Sequence, residues 1–255
     1  MKRFWLGFAF VPLTWAASAD LRVPVVIELF TSEGCSSCPP ADELLARLAK
    51  TQSVPTARII ALEEHVDYWN HLGWADPFSS PQFRARQTEY AQAFRTEDIY
   101  TPQIVVNGRV AFVSDSMNKA IAEIRRAAAP PLASVQLHPA PNRKNPELID
   151  LDVRVAVLPD VQPPGKLDIF LAITEDNLST NVPRGENAGR RLRHAAVVRS
   201  FGVIGTLDPG KRESLVLRPT LKFPAEWKRA DLKAVVFLQE RSTRQIVGAE
   251  TWSLE

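Results

Sequence analysis

The alternation of apolar and polar positions changes near residue 131 of this 255-residue chain. Before that point, short apolar runs alternate with segments in which apolar residues fall at helical spacing, whereas the later apolar runs have the two-residue period of strands. The first half predicts a strand over residues 23–30, a helix over 35–50 and a second strand over 57–66. A second helix over 81–94, a hairpin over 102–113 and a closing helix over 116–129 follow.

Local signals support several of these elements. Ser80 precedes Pro81, a pairing typical of a helix start. Asn107-Gly108 suits the left-handed turn of a tight hairpin, and Pro130-Pro131 ends the closing helix. The order β-α-β-α-β-β-α resembles the thioredoxin fold, with a helical insertion between Glu64 and Phe94.

The second half predicts strands throughout. Alternating apolar residues such as Leu151, Val153 and Val155 indicate strands with one buried face. Seven runs predict strands, several of them with this alternation, and they begin at residues 133, 147, 166, 194, 213, 232 and 245. Proline and glycine separate them, as in an antiparallel β-sandwich. The predicted fold class is therefore an α/β thioredoxin-like N-terminal domain with a helical insertion, residues 20–131, plus an all-β antiparallel sandwich C-terminal domain, residues 132–255.

The N-terminus predicts export. Lys2 and Arg3 precede an apolar run too short to cross a bilayer, and Ala17-Ser18-Ala19 resembles a cleavage site. We therefore interpret residues 1–19 as a signal peptide and expect a periplasmic protein with no membrane attachment after cleavage. Cleavage leaves 29 basic and 29 acidic residues. This balance argues against nucleic acid as a partner.

The two cysteines of the chain, Cys35 and Cys38, form a C-x-x-C motif where the first strand gives way to a helix. They indicate a redox pair, a metal clip or a short structural disulfide. A crosslink across so short a loop stabilises little, and structural zinc usually needs four ligands. At a helix start the Cys35 thiolate would be stabilised for nucleophilic attack, with Cys38 resolving the mixed disulfide. This chemistry requires an accessible Cys35 sulfur.

Two further positions are candidates for this chemistry. Thr101-Pro102 begins the strand expected beside the cysteine loop. In thioredoxin-like proteins a cis-proline at this place packs against the disulfide and the preceding backbone pairs with a bound peptide, so the resemblance implies that Pro102 is cis and that Thr101 contacts substrate. Glu28 lies in an otherwise apolar strand, and is either a buried proton acceptor for Cys38 or a carboxylate on a partly exposed face.

An aromatic insertion and an arginine-rich segment supply the candidate substrate contacts. Trp69 and Trp74 either floor a groove or pack beneath a long connection. The segment 181–199 is either a solvated loop or a cover over the cysteines, and in the second case Glu186, Asn187 and Arg191 would hold substrate.

The chain resembles a family of secreted bacterial proteins catalogued as domain of unknown function 1223. The resemblance rests on "VVIELFTSEGCSSCPPAD", "HVDYWNHLGWADPF", "YTPQIVVNG" and "GENAGRRLRHAAVVR", which together span nearly the whole mature chain. It implies a thioredoxin-like first half, an all-β second half and a Gram-negative periplasm.

These observations predict an exported thiol–disulfide oxidoreductase without cofactor or resident metal. Its partners would be protein thiols or disulfides and an unknown redox partner. One alternative is a copper or zinc carrier that uses both thiols, with His65 as a possible third ligand. The other is a ligand- or protein-binding module in which the cysteines are not catalytic.

Overall fold

The computed structural model describes residues 22–113, 116–145, 147–163 and 165–254. The predicted signal peptide, residues 1–19, lies outside these ranges. Within them, no helix combines the length and the apolar character that crossing a membrane requires. The domain boundary predicted at residue 131 stays a prediction.

Strands dominate the described chain. Its three α-helices are α1 (Pro39–Thr51), α2 (Pro81–Phe94) and α3 (Met117–Ala127), and a short 3-10 helix covers Arg229–Asp231. The strands are β1 (Val23–Thr31), β2 (Ala57–His65), β3 (Gln103–Val106), β4 (Val110–Phe112), β5 (Ala133–Pro141), β6 (Leu148–Val157), β7 (Leu167–Glu175), β8 (Leu178–Asn181), β9 (Arg191–His194), β10 (Val197–Leu207), β11 (Ser214–Leu217), β12 (Thr220–Lys222), β13 (Leu232–Glu240) and β14 (Ile246–Ser253).

One mixed sheet runs through both halves of the chain. Its order is β14-β13-β7-β10-β2-β1-β3-β4. Strand β2 pairs in parallel with β1 on one side and with β10 on the other, where Val197 lies opposite Glu63 and the Glu63 N–H donates to the carbonyl of Ala196 at 2.9 Å. The other pairings in this sheet are antiparallel.

Two smaller sheets complete the fold. In the first, β6 pairs with β5 along one edge and with β11 and β12 along the other. The second is the β8–β9 hairpin. Apolar residues of the first sheet, such as Leu151 and Val153, pack against β7 and β13 and form one buried cluster. A second cluster lies between the large sheet and helices α1 and α3, and a third lies on its opposite face with residues of α2.

The predicted fold class is wrong. The structure has a mainly β chain organised around a continuous eight-stranded mixed sheet, in place of a thioredoxin-like α/β domain followed by a separate sandwich. The runs predicted as strands do form strands, but β7, β10, β13 and β14 extend the sheet of the first half. Periodicity reports which face of a strand is buried and carries no information on its pairing partner, so the β2–β10 junction has no local signal.

The local signals were more informative. The Ser80 side chain accepts the N–H of Gln82 at 3.2 Å at the start of α2, as an N-cap does. Asn107 and Gly108 have φ values of 47° and 61°, as the predicted hairpin turn requires. A Cβ on Gly108 would lie 1.8 Å from the carbonyl oxygen of Arg244, so only glycine fits there.

Candidate functional site

The cysteine loop connects β1 to α1. Cys35 and Cys38 form a disulfide with a Cα–Cα distance of 5.5 Å. Helix α1 begins at Pro39, not near Cys35 as the sequence predicted, and Cys38 is its N-cap residue. Pro39 and Pro40 occupy the first helical turn, as predicted. Cys35 therefore lies in a turn that precedes the helix.

The prediction of an accessible Cys35 sulfur is wrong for this conformation. Both cysteines are 0% exposed, whereas Ser36 and Ser37 between them are exposed. The serines reach solvent while the sulfur atoms lie beneath them. Exchange with another molecule therefore requires neighbouring groups to move.

Thr101 and Pro102 lie beside the disulfide. The peptide bond between them is cis, as the resemblance implied. The Cys35 Sγ lies 3.9 Å from the Thr101 carbonyl oxygen and 3.4 Å from the Ser37 Oγ. The sulfur thus has a backbone carbonyl and a hydroxyl as its polar neighbours.

The aromatic insertion packs along one side of the cysteine loop. The Trp69 indole N–H donates to the Thr101 Oγ1 at 2.8 Å, and the Trp74 indole N–H donates to the Glu33 Oε2 at 2.7 Å. A Cβ on Gly34 would lie 2.9 Å from the Cβ of Trp69, which shows how closely the insertion approaches the loop. Both tryptophans are half-buried and bind the protein's own residues.

The segment from the second half packs along the other side. The fully buried Asn187 amide donates to the carbonyls of Glu33 at 2.9 Å and Cys35 at 3.0 Å. The Ser36 N–H donates to the Glu186 carboxylate at 3.1 Å. Hydrogen bonding from the Ser36 side chain, and then from this N–H, lowers the pKa of Glu186. We call Trp69–Trp74 and Gly185–Asn187 the bracketing segments.

Arg191 lies away from these contacts. Its guanidinium donates to the Ser179 Oγ at 3.2 Å within the β8–β9 hairpin. It lines a cavity of about 720 Å³ whose wall includes residues of α1 such as Lys50. The structure therefore does not bring Arg191 into the cysteine loop with Glu186 and Asn187.

Neither interpretation of Glu28 matches its surroundings. Glu28 is 0% exposed, and its carboxylate accepts hydrogen bonds from Arg86 and Tyr90. It shares this buried network with Glu64, whose pKa is raised well above its usual value by burial and by Glu28. The network lies on the face of the large sheet that packs with α2, whereas α1 covers the other face. Glu28 therefore has a structural ion pair.

A second buried polar network, on the α1 side, begins two residues before Cys35. Glu33, Glu63, His65 and His194 are each at most 4% exposed. His194 Nδ1 lies 2.7 Å from Glu63 Oε1 and its Nε2 lies 3.2 Å from Glu33 Oε1. His65 Nδ1 lies 2.7 Å from Asp76 Oδ2, and its Nε2 lies 3.3 Å from Glu63 Oε1.

Charge pairing governs the protonation of this network. Burial alone would lower the pKa of both histidines, but their carboxylate neighbours outweigh it. The pKa of His65 is raised well above its usual value by Asp76 and Glu63, and that of His194 is raised to about 9 by Glu63 and Glu33. Conversely, the histidines hold the pKa of Glu63 below its usual value despite burial.

Asp42 is the raised carboxyl nearest in sequence to the cysteines. It lies on α1 four residues after Cys38, and its carboxylate accepts the Thr31 hydroxyl at 2.6 Å. Burial, with a further contribution from the Glu63 charge, raises the pKa of Asp42 to about 7. Asp42 is therefore a buried carboxyl that can exchange a proton near neutral pH, which is one of the two roles that the sequence predicted for Glu28.

Sequence reasoning missed Asp42, Glu63 and His194 as site residues. The run "LEEH" at the end of β2 was a usable signal, because it places charged groups in an otherwise buried strand. Glu63 and His194 are 131 positions apart, and only the β2–β10 junction brings them together.

Among described histidine, cysteine, aspartate and glutamate side chains, Glu63, His65 and His194 have donor atoms within 4.8 Å of one another. Neither cysteine belongs to this set. The predicted metal clip of Cys35, Cys38 and His65 is thus not the group that the fold assembles. What the cysteine loop offers chemically is a disulfide, which is compatible with a redox role.

The sequence matches the family described as protein of unknown function (DUF1223) over residues 26–239. The chain belongs to this family. No curated protein matches the sequence significantly. An X-ray structure of an Agrobacterium tumefaciens protein is 25% identical to this DUF1223 protein, with a TM-score of 0.68 over 93% of this chain and 97% of the other. The structure titled HBP35 of Porphyromonas gingivalis is 17% identical, with a TM-score of 0.67 over 92% of this chain and 76% of the other. The fold of this DUF1223 protein therefore recurs across both of its halves.

Proposed function

We propose that this protein is a periplasmic thiol–disulfide oxidoreductase that uses Cys35 and Cys38. The observation that carries the proposal is the disulfide in the β1–α1 loop, with the Cys35 Sγ 3.9 Å from the Thr101 carbonyl. A crosslink between residues three positions apart closes almost no loop and adds little stability. Redox chemistry explains the pair better than stapling does.

In the oxidising direction, a substrate thiolate attacks the Cys35 Sγ. The sulfur–sulfur bond breaks and its electron pair leaves on Cys38, which gives a mixed disulfide at Cys35. A second substrate thiolate then attacks the substrate sulfur and releases Cys35 as a thiolate. The substrate dithiol is oxidised by two electrons and the protein disulfide is reduced. The reverse sequence reduces a substrate disulfide, and the reduction potential decides the direction.

Two neighbouring groups support these steps. The Ser37 hydroxyl, 3.4 Å from the Cys35 Sγ, is placed to donate a hydrogen bond to a thiolate there. Asp42 lies one helical turn beyond Cys38 and has a pKa of about 7. A carboxyl with this pKa exchanges a proton near neutral pH, so Asp42 is our candidate to supply a proton to the departing Cys38.

The buried sulfur atoms make access a separate step. The bracketing segments hold the cysteine loop through the Asn187 amide and the Glu186 carboxylate, and through the packing of Trp69 on Gly34. We propose that displacement of these segments admits the substrate. The Thr101 backbone then contacts the bound chain.

Trapping tests the exchange. Cys38→Ala leaves Cys35 without its resolving partner, so a mixed disulfide with a periplasmic protein should accumulate and should disappear under reduction. Cys35→Ala is the matched control and should trap nothing. The proposal is overturned if neither variant captures a partner and if the reduction potential of the pair lies below about −300 mV, the range of structural disulfides.

Export is tested on the unmodified gene product. The periplasmic fraction should contain a chain that begins at Asp20, as read by intact mass. A cytoplasmic chain that retains residues 1–19 would refute the periplasmic assignment.

A further inference from the structure

Two buried imidazoles converge on one carboxylate oxygen beneath the cysteine loop. Glu63 Oε1 lies 2.7 Å from His194 Nδ1 and 3.3 Å from His65 Nε2. The three side chains are at most 1% exposed. This centre involves neither sulfur atom and is independent of the proposed redox function.

Each group has its outward atom fixed by another residue. His65 turns Nδ1 to Asp76 at 2.7 Å, and His194 turns Nε2 to Glu33 at 3.2 Å. The Glu63 Oε2 accepts the N–H of Ala195 at 2.9 Å. One nitrogen of each imidazole and one oxygen of the carboxylate are thereby left facing the centre. Metal-binding histidines are oriented in this way by carboxylates on their second nitrogen.

The His65 Nε2 points to a missing ligand. It is fully buried and makes no hydrogen bond, although Glu63 Oε1 is 3.3 Å away. Buried polar atoms without a partner are rare in folded proteins. An ion between the two atoms would satisfy both.

The spacing suits a small tetrahedral ion. Zinc bonds to nitrogen and oxygen of about 2.0–2.2 Å place neighbouring ligand atoms about 3.3 Å apart. The His65–Glu63 distance already has this value, and the Glu63–His194 distance would lengthen from 2.7 Å by about 0.6 Å. The Phe78 ring packs edge-on against both imidazoles, with centroids 5.4 Å and 5.6 Å away, and so helps to exclude water.

We propose that Glu63, His65 and His194 bind one divalent transition-metal ion of the zinc type. Two imidazoles favour such an ion over magnesium or calcium, which prefer oxygen ligands. The Glu33 and Asp76 carboxylates, which hold the outer nitrogens, also balance its charge. This proposal differs from the expectation that the sequence supports, in which there is no resident metal.

The test uses the full mature protein, treated with a chelator and then titrated with Co(II) and Zn(II). We expect one ion per chain and the visible absorption bands of tetrahedral Co(II). His65→Gln and His194→Gln should each weaken binding at least about 100-fold, and Asp76→Asn about 10- to 100-fold. The matched controls are His71→Gln and His138→Gln, because these histidines are exposed, and both should bind as the wild type does.

The cysteines separate this site from a thiol site. A Cys35→Ser, Cys38→Ser double variant should keep its metal, since no sulfur is a ligand. Binding that survives both histidine substitutions but disappears with the cysteines would overturn the proposal. If a histidine variant fails to fold, the proposal is tested on the wild-type protein by its unfolding midpoint with and without Zn(II). Saturating Zn(II) must raise its unfolding midpoint, and an unchanged midpoint would also refute the site.

Discussion

The Asn187 side chain gives the sharpest test of how the disulfide is shielded. Its amide donates to the carbonyls of Glu33 and Cys35, and its Oδ1 accepts the Arg190 guanidinium at 2.8 Å. Asn187→Ala removes all three bonds at a fully buried position. The bracketing segment Gly185–Asn187 should then leave the cysteine loop more often.

The magnitude follows from the two backbone carbonyls. The Glu33 backbone carbonyl loses its amide donor and, among the described residues, accepts no other hydrogen bond. Leaving this buried carbonyl without a donor costs about 1–3 kcal/mol. The Cys35 carbonyl still accepts the Cys38 N–H at 3.2 Å, so its loss is about 0.5–1.5 kcal/mol. Together, about 1.5–4.5 kcal/mol favour opening. Since about 1.4 kcal/mol is a factor of ten, the open population rises about 10- to 1,600-fold.

The assay is the rate at which excess dithiothreitol reduces the disulfide in folded protein. Samples are quenched with acid, alkylated with a maleimide and read by intact mass. If reduction proceeds through local opening, the Asn187→Ala rate should rise by the same factor as the open population. Asn181→Ala is the matched control, because Asn181 is exposed at the end of β8, where the same connection begins, and it should leave the rate unchanged.

Two results would refute this account of shielding. An Asn187→Ala rate within about threefold of the wild type would mean that Gly185–Asn187 does not limit access. Equal acceleration by Asn181→Ala would mean that the connection as a whole, and not the Asn187 amide, holds the loop closed.

Three further predictions concern stability. Arg86→Met leaves buried carboxylates without their cation and should lower the free energy of unfolding in urea by about 3–5 kcal/mol. The control Arg84→Met removes a half-exposed ion pair and should lower it by less than about 1 kcal/mol. Equal losses would contradict the buried network. Asp42 has a folded pKa of about 7 against 3.8 ordinarily, so its neutral form stabilises the fold below about pH 4 and this contribution is lost as the pH rises to about 7. Relative to Asp42→Asn, wild-type unfolding free energy in chelator-treated protein should fall by up to about 4 kcal/mol over that range, and parallel pH curves would exclude the raised pKa. Gly108→Ala forces a left-handed φ on alanine and a contact with the Arg244 carbonyl, so the free energy of unfolding should drop by about 2–5 kcal/mol; an unchanged urea midpoint would contradict the turn geometry.

The parts of the structure that were predictable depend on neighbours in sequence. The alternation at Leu151, Val153 and Val155 identified a strand with one buried face, and these residues are 0–2% exposed. The start of α2 at Ser80 and the turn at Asn107 likewise follow from residues within four positions of each other. Short-range preferences of this kind can be read from the sequence without knowing which distant segments pack together.

The parts that were not predictable depend on distant segments. The role expected of Glu28 failed because burial on one face of a strand does not say what lies above it, and Arg86, which pairs with Glu28, comes from a helix 58 residues later. The Glu63–His194 contact joins the two halves across the β2–β10 junction. In the sequence, His194 is one histidine in an arginine-rich segment.

The β2–β10 junction also limits how this protein can be dissected. A fragment that ends at residue 131 would lack β10, so one edge of β2 would be unpaired. It would also lack His194 and the Asn187 amide. Its cysteine loop would keep the Trp69–Trp74 segment but lose Gly185–Asn187, and the carboxylate of Glu63 would have no imidazole from the second half. Such a fragment, however well it expressed, would report on a cysteine loop covered on one side only and on an uncovered strand edge, and its reactivity could not stand for that of the intact chain.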